Sequence, residues 1–214
     1  MKEFEKTLQR GDCFKLLAAC FYEPDRQLFL EEELAEKLER SLERLSPEGA
    51  AAARQMQNCL KEQDQEKLSI DHAALFVGPF ELLAAPYGSV YIEQKRTVMG
   101  GSTMHAARFY QEAGLSVDVK EPPDHIAVEL EFMYYLCTKE AAATGDDPVE
   151  CGRLFREKQR GFYLSALKPW AHQFCEAIRR GTDNGFYLNL ADCLDHFLIS
   201  CERVYHEGQT LKAG

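Results

Sequence analysis

Apolar residues recur along this chain at helical spacing almost from end to end. Phe4, Leu8, Cys13, Leu16, Leu17, Cys20 and Phe21 form a 3.6-residue stripe, which predicts a first helix. Glu23-Pro24-Asp25 breaks it. Leu28 to Leu45 is built of good helix formers and predicts a second helix. In it, Glu31-Glu32-Glu33 is expected to be a solvated face. Ser46 followed by Pro47 is an N-cap with proline at the first helical position, and the helix it opens runs to about Gln63. The next helix is expected from Ser69 or Asp71 to Gly78-Pro79.

Residues 79–102 differ. Pro79, Pro86, Gly88, Gly100 and Gly101 interrupt the period, and only Val90 to Ile92 could extend briefly. A long loop inside a domain is usually functional, and this one is a candidate hinge. A helix from Ser102 or Thr103 ends near Gly114. Pro122-Pro123 leads to Asp124, a good N-cap, and to a helix carrying Ile126, Leu130, Met133 and Cys137 on one face. Gly145-Asp146-Asp147-Pro148 is expected to be a turn. Three more helices are predicted near 148–165, 167–180 and 186–206. With no strand of convincing length, the expected architecture is all-α: a single compact domain, 1–214, of roughly eight to ten helices.

Composition narrows the function. An apolar fraction of 45% over 214 residues suffices for one real core. The formal net charge of −10 argues against nucleic acid and against anionic membrane surfaces, and suits a cationic partner. No apolar run of ~18 residues is present, so no membrane insertion is expected. Leu17-Ala18-Ala19-Cys20 resembles a lipoprotein cleavage box, but the preceding acids and Lys15 deny it a signal peptide's basic start and apolar run. The eight Cys include no CxxC pair and several lie on apolar helix faces, which predicts reduced core thiols.

Chemical signatures are sparse. The chain has no phosphate loop, no GxGxxG after a strand, no GxSxG elbow and no HExxH. Asp124, His125 and Glu129 admit three readings: a helix cap with an i,i+4 surface pair, a polar cluster at the mouth of a binding groove, or part of a metal site. Phe76-Val77-Gly78-Pro79-Phe80 and Pro86-Tyr87-Gly88-Ser89-Val90-Tyr91 are either a packed turn completing the core or an apolar shelf for a peptide.

These last segments carry a resemblance. Pro86–Tyr91, Pro123-Asp124-His125 with Glu129 and Phe132, Phe109-Tyr110 to Gly114-Leu115, and Pro169-Trp170 with Phe174 are similar to the motifs of the TorD/DmsD/NarJ type of maturation chaperone. Tyr87 stands where close relatives often carry Trp. The resemblance implies a TorD-like helical fold and a cytoplasmic chaperone that is not an enzyme. It implies as partner the precursor of a molybdopterin oxidoreductase, held through its twin-arginine signal peptide or its apo-form. Export would then wait for cofactor insertion.

The residues so implicated in signal-peptide binding are Phe76, Phe80, Pro86, Tyr87, Ser89, Tyr91, Pro123, Asp124, His125, Glu129 and Phe132. No cofactor is expected, and guanine-nucleotide binding enters by resemblance alone. The protein is expected as monomer or homodimer. Physically, Asp118, Glu121, Asp124, Glu129, Glu131 and Glu140, against Lys120 and Lys139, would suit guanidinium groups, and the aromatics would suit the apolar stretch that follows them. The alternative is an all-α metal-dependent hydrolase using His72, His125 and nearby acids.

Overall fold

The computed structural model describes residues 3–78, 82–93, 100–116, 121–143 and 148–207. Its α-helical segments are α1 Glu3–Cys20, α2 Arg26–Glu31, α3 Leu34–Leu42, α4 Pro47–Glu62, α5 Gln65–His72, α6 Gly88–Ile92, α7 Gly101–Glu112, α8 Ile126–Ala141, α9 Pro148–Phe162, α10 Lys168–Gly181 and α11 Gly185–Glu207. A π-helical segment, Ala73–Val77, extends α5, and a second, Tyr163–Leu167, joins α9 to α10. The α segments therefore form ten rods among the described residues, as the periodicity predicts. The described extended pairing is one antiparallel bridge, Tyr87 to His125.

Local chemistry sets the ends of these helices. Asp25 caps α2 through the Leu28 N–H at 2.9 Å, and Asp64 caps α5 through the Lys67 N–H at 2.8 Å. Ser46 caps α4 with Pro47 in its first turn. Gly114 takes the left-handed conformation after α7, with φ of 78°.

Several expected boundaries move. The helix expected over Leu28–Leu45 is two, because the chain turns at Glu33, which has φ of 50°. Glu31-Glu32-Glu33 is exposed as expected, but it spans the last residue of α2 and the turn to α3 instead of one helix face. α5 begins at Gln65 rather than Ser69, since Asp64 supplies the cap. The region 79–102 contains the turn of helix α6. The two helices expected over 148–180 are one rod, even though Pro169 lies inside it. Proline removes one backbone donor and crowds the preceding turn, and the π segment just before it accommodates both. The turn expected at 145–148 falls largely outside the described residues.

The core is one contiguous cluster. α1 packs against α8 and α3, and α11 packs against α4. Phe4 and Leu8, expected on the buried stripe, are exposed. At one end of the core α1, α8, α9 and α11 share a buried polar network. Gln159 donates to Glu140 at 2.7 Å and accepts from Arg10 and Tyr205, each at 3.2 Å. Arg10 also pairs with Glu140 at 3.5 Å. No disulfide links the eight Cys. Six are buried, and Cys59 and Cys151 are partly exposed.

Candidate functional site

At the N-terminal end of α8, three distant segments meet: 86–92, 122–129 and the start of α10. The Gly88 N–H donates to the Asp124 carbonyl, and the Ile126 N–H donates to the Pro86 carbonyl, both at 2.9 Å. These two bonds form the Tyr87–His125 bridge and fasten the short helix α6 to α8.

Asp124 does not cap its own helix. One of its carboxylate oxygens accepts from the Ser89 N–H at 2.7 Å, in the first turn of α6. His125 caps α8 instead: its Nδ1 accepts from the Ala127 N–H at 3.1 Å. Accepting there requires a neutral ring with its proton on Nε2. Burial favours that form and lowers the His125 pKa to about 4. The ring stacks on Tyr22 at a centroid distance of 6.2 Å and meets Tyr87 edge-on at 5.4 Å.

Beneath this layer, the Trp170 indole donates to the Glu129 carboxyl at 3.1 Å. Burial raises the Glu129 pKa well above the usual carboxylate range. Trp170 stacks on Tyr91 and lies against Gly88, where a Cβ would come within 2.9 Å of the indole nitrogen. Tyr110 closes the floor by donating to the Pro123 carbonyl at 2.6 Å.

The residues expected at a binding groove are therefore brought together but lie deep. Ser89 and Trp170 are 0% exposed, Asp124 and Glu129 1% and His125 5%. Phe76 and Phe132 are core residues. Pro86 and Pro123 supply the carbonyls that hold the bridge and the floor. Phe80, Asp118 and Lys120 lie outside the described residues. Two buried oxygens, Asp124 Oδ1 and Ser89 Oγ, have no hydrogen-bond partner among the described residues.

What reaches the surface is a rim that the sequence motifs do not mark. Tyr22 is half-buried and Glu131 exposed. Burial raises the Tyr22 pKa, and the nearby carboxyls of Glu131 and Glu121 raise it further. Burial likewise raises the Tyr87 pKa, with Glu121 and Asp124 nearby adding to it. Burial raises the pKa of Glu131, while the neighbouring Tyr22 partly offsets the rise. Two tyrosines thus flank His125, with the carboxyls of Glu121 and Glu131 near them. Glu121 and Glu131 were legible as members of an acidic run. Tyr22, a hundred residues away in sequence, carried no local signal.

Among the described residues no group of three or more His, Cys, Asp or Glu could hold a metal ion. His72 turns its Nε2 to the Phe21 carbonyl at 3.4 Å. The hydrolase alternative loses its ligand set there. No helix among the described residues is long and apolar enough to cross a membrane.

Comparison with known proteins bears on this arrangement. The model of a family described as nitrate reductase delta subunit matches residues 42–176. The chaperone protein TorD of Vibrio parahaemolyticus is 29% identical over 135 residues, which is 62% of this chain and 61% of that protein. The chaperone protein TorD of Escherichia coli is 28% identical over 193 residues, covering 82% of this chain and 90% of the relative. The Tat proofreading chaperone DmsD of Haemophilus influenzae is 27% identical over 129 residues, 59% of this chain and 56% of that protein. Among solved structures, a redox enzyme maturation protein of Archaeoglobus fulgidus superposes with a TM-score of 0.56 at 24% identity. It covers 86% of this chain and 91% of its own. That likeness shows the fold.

Proposed function

This chain belongs to the nitrate reductase delta subunit family, and from that premise we propose that it is a cytoplasmic maturation chaperone for a molybdopterin-containing reductase. Relatives in the family are named as chaperones, and the chain is a chaperone rather than an enzyme. The client is held as its precursor, through a twin-arginine signal peptide, while cofactor insertion proceeds.

One arrangement carries this reading: the exposed Glu131 and the Glu121 carboxyl lie near Tyr22 and Tyr87, the two rings that flank His125, at the surface of the clamped cluster. Guanidinium groups suit such carboxylates, and they also stack on aromatic faces. The chain's net charge of −10 adds a long-range field that draws a cationic segment towards it. The buried members, Asp124, His125, Glu129 and Trp170, hold the rim in register. Shielding the leader until the cofactor is in place would delay export.

Calorimetric titration with twin-arginine leaders of the host's reductases tests the reading. Affinity on the order of micromolar, about −8 kcal/mol, is expected, because ordering a flexible peptide offsets part of the contact energy. The absence of heat and of competition with every leader would overturn it.

A further inference from the structure

Beside the acidic rim, between the C-terminal end of α7 and the face of α8, lies a cavity of about 170 Å³. Its floor is Tyr110, Val128 and Phe132, all buried, and its walls include Leu115 and Tyr135. The tyrosine hydroxyls do not make it polar. Tyr110 spends its proton on the Pro123 carbonyl, and Tyr135 donates to the Ala113 carbonyl at 3.2 Å. Both rings therefore offer carbon to the cavity. Lys139, one turn further along α8, lies over the Tyr135 ring, 5.4 Å from its centroid.

The mouth carries the opposite chemistry. Glu131 lines it and is exposed, and it is the same carboxylate that lies near Tyr22 at the rim. An apolar cavity of about 150 Å³ takes up a benzene ring. The space here therefore matches one large apolar side chain, entered past a carboxylate.

We propose that this cavity is the docking subsite for one large apolar side chain of a bound peptide, with a neighbouring cationic side chain of that peptide paired to Glu131. The subsite rests on the peptide-binding reading above and adds to it a specificity element. The two halves of the ligand are recognised by adjoining surfaces of one helix: Val128, Phe132 and Tyr135 take the apolar group, and Glu131 takes the charge. A peptide with the arginines but without a large apolar residue near them would then be discriminated against, as would an apolar peptide without the cation.

The probe is a synthetic leader peptide with two adjacent arginines followed by an apolar run containing one phenylalanine. It is compared with the version in which that phenylalanine is alanine. Calorimetry is run with the wild-type protein, with Val128→Trp, which fills the cavity, and with Glu131→Gln. Ser116→Trp, at the exposed lip, serves as well if Val128→Trp lowers the melting temperature.

Wild type is expected to bind the phenylalanine peptide about tenfold more tightly than the alanine peptide. A filled cavity is expected to bind both equally weakly, as a double-mutant cycle would show. Glu131→Gln should weaken the parent peptide about threefold and leave an arginine-free version unaffected. Binding of the parent peptide by wild type that no cavity variant alters overturns the subsite alone. No binding by wild type overturns the peptide-binding reading and the subsite with it.

Discussion

The indole N–H of Trp170 donates to the carboxyl of Glu129, and both groups are buried. This bond joins α10 to α8 under the bridge between Tyr87 and His125. It has a thermodynamic signature. The Glu129 pKa is raised in the folded protein, so between its unfolded and folded values the native state holds more protons than the unfolded one. The stability it contributes is full below the unfolded pKa and is lost as pH rises. Glu129→Gln keeps an acceptor for the indole and cannot ionise. Its melting temperature relative to wild type should climb as pH is raised from 5 to 9. A constant difference across that range would mean Glu129 is ionised in the fold.

His125 gives the opposite sign. Its pKa is lowered from 6.5 to about 4, so over that window the unfolded chain binds the extra proton. Stability from this group is present above 6.5 and lost as pH falls towards 4, by on the order of 3 kcal/mol. Protonation also removes the Nδ1 acceptor that caps α8. His125→Asn supplies an acceptor that does not titrate. Denaturant melts from pH 7 to pH 4 should show a shallower loss for the variant than for wild type. Parallel curves would refute the assignment.

At Gly88 no side chain fits, because a Cβ would sit 2.9 Å from Trp170 Nε1. Gly88→Ala should cost about 1–3 kcal/mol through overpacking. Trp170 is the chain's single tryptophan, so its emission reports the site directly. A red shift of that emission is expected in the variant. Wild-type emission and wild-type stability would show that α6 can shift aside.

Asp124→Asn separates fastening from recognition. Asparagine retains the acceptor for the Ser89 N–H, and the fold should be nearly unchanged. Asp124→Ala orphans that donor and should cost about 1–3 kcal/mol. If the carboxylate meets a client arginine, Asn should weaken leader binding by one to two decades, on the scale of roughly 1.5–3 kcal/mol for a charge-assisted bond. Melting temperature and leader titration are measured on the same preparation.

Thiol accessibility follows from burial. Cys59 and Cys151 should react with a thiol reagent in the native protein, and all eight Cys after denaturation without reductant. A shortfall after denaturation would reveal disulfides. Burial raises the pKa of Cys20, Cys175 and Cys201, which slows them further.

The helices were legible because burial imposes a period that survives in the sequence, and Ser46-Pro47 announces its own cap. The site was legible in its membership only. Asp124 is a good cap by type, yet its carboxylate is taken by an N–H thirty-five residues upstream, and the poorer cap His125 fills the place. Nothing near Glu129 foretells that its partner is Trp170. Nor does the spacing of Pro169 reveal that a π segment carries the rod through it. In each case the deciding contact is long-range, and sequence patterns encode only neighbours along the chain.

The clamp built by Gly88, Glu129 and Trp170 also has an order in time. Its parts leave the ribosome about eighty residues apart, on the order of ten seconds at ordinary elongation rates. Until Trp170 emerges, Glu129 has no indole to meet and α6 has no ring to rest on. A nascent chain therefore carries the acids of the rim before it carries the brace that orients them. The clamp is therefore completed late in synthesis, when α10 docks.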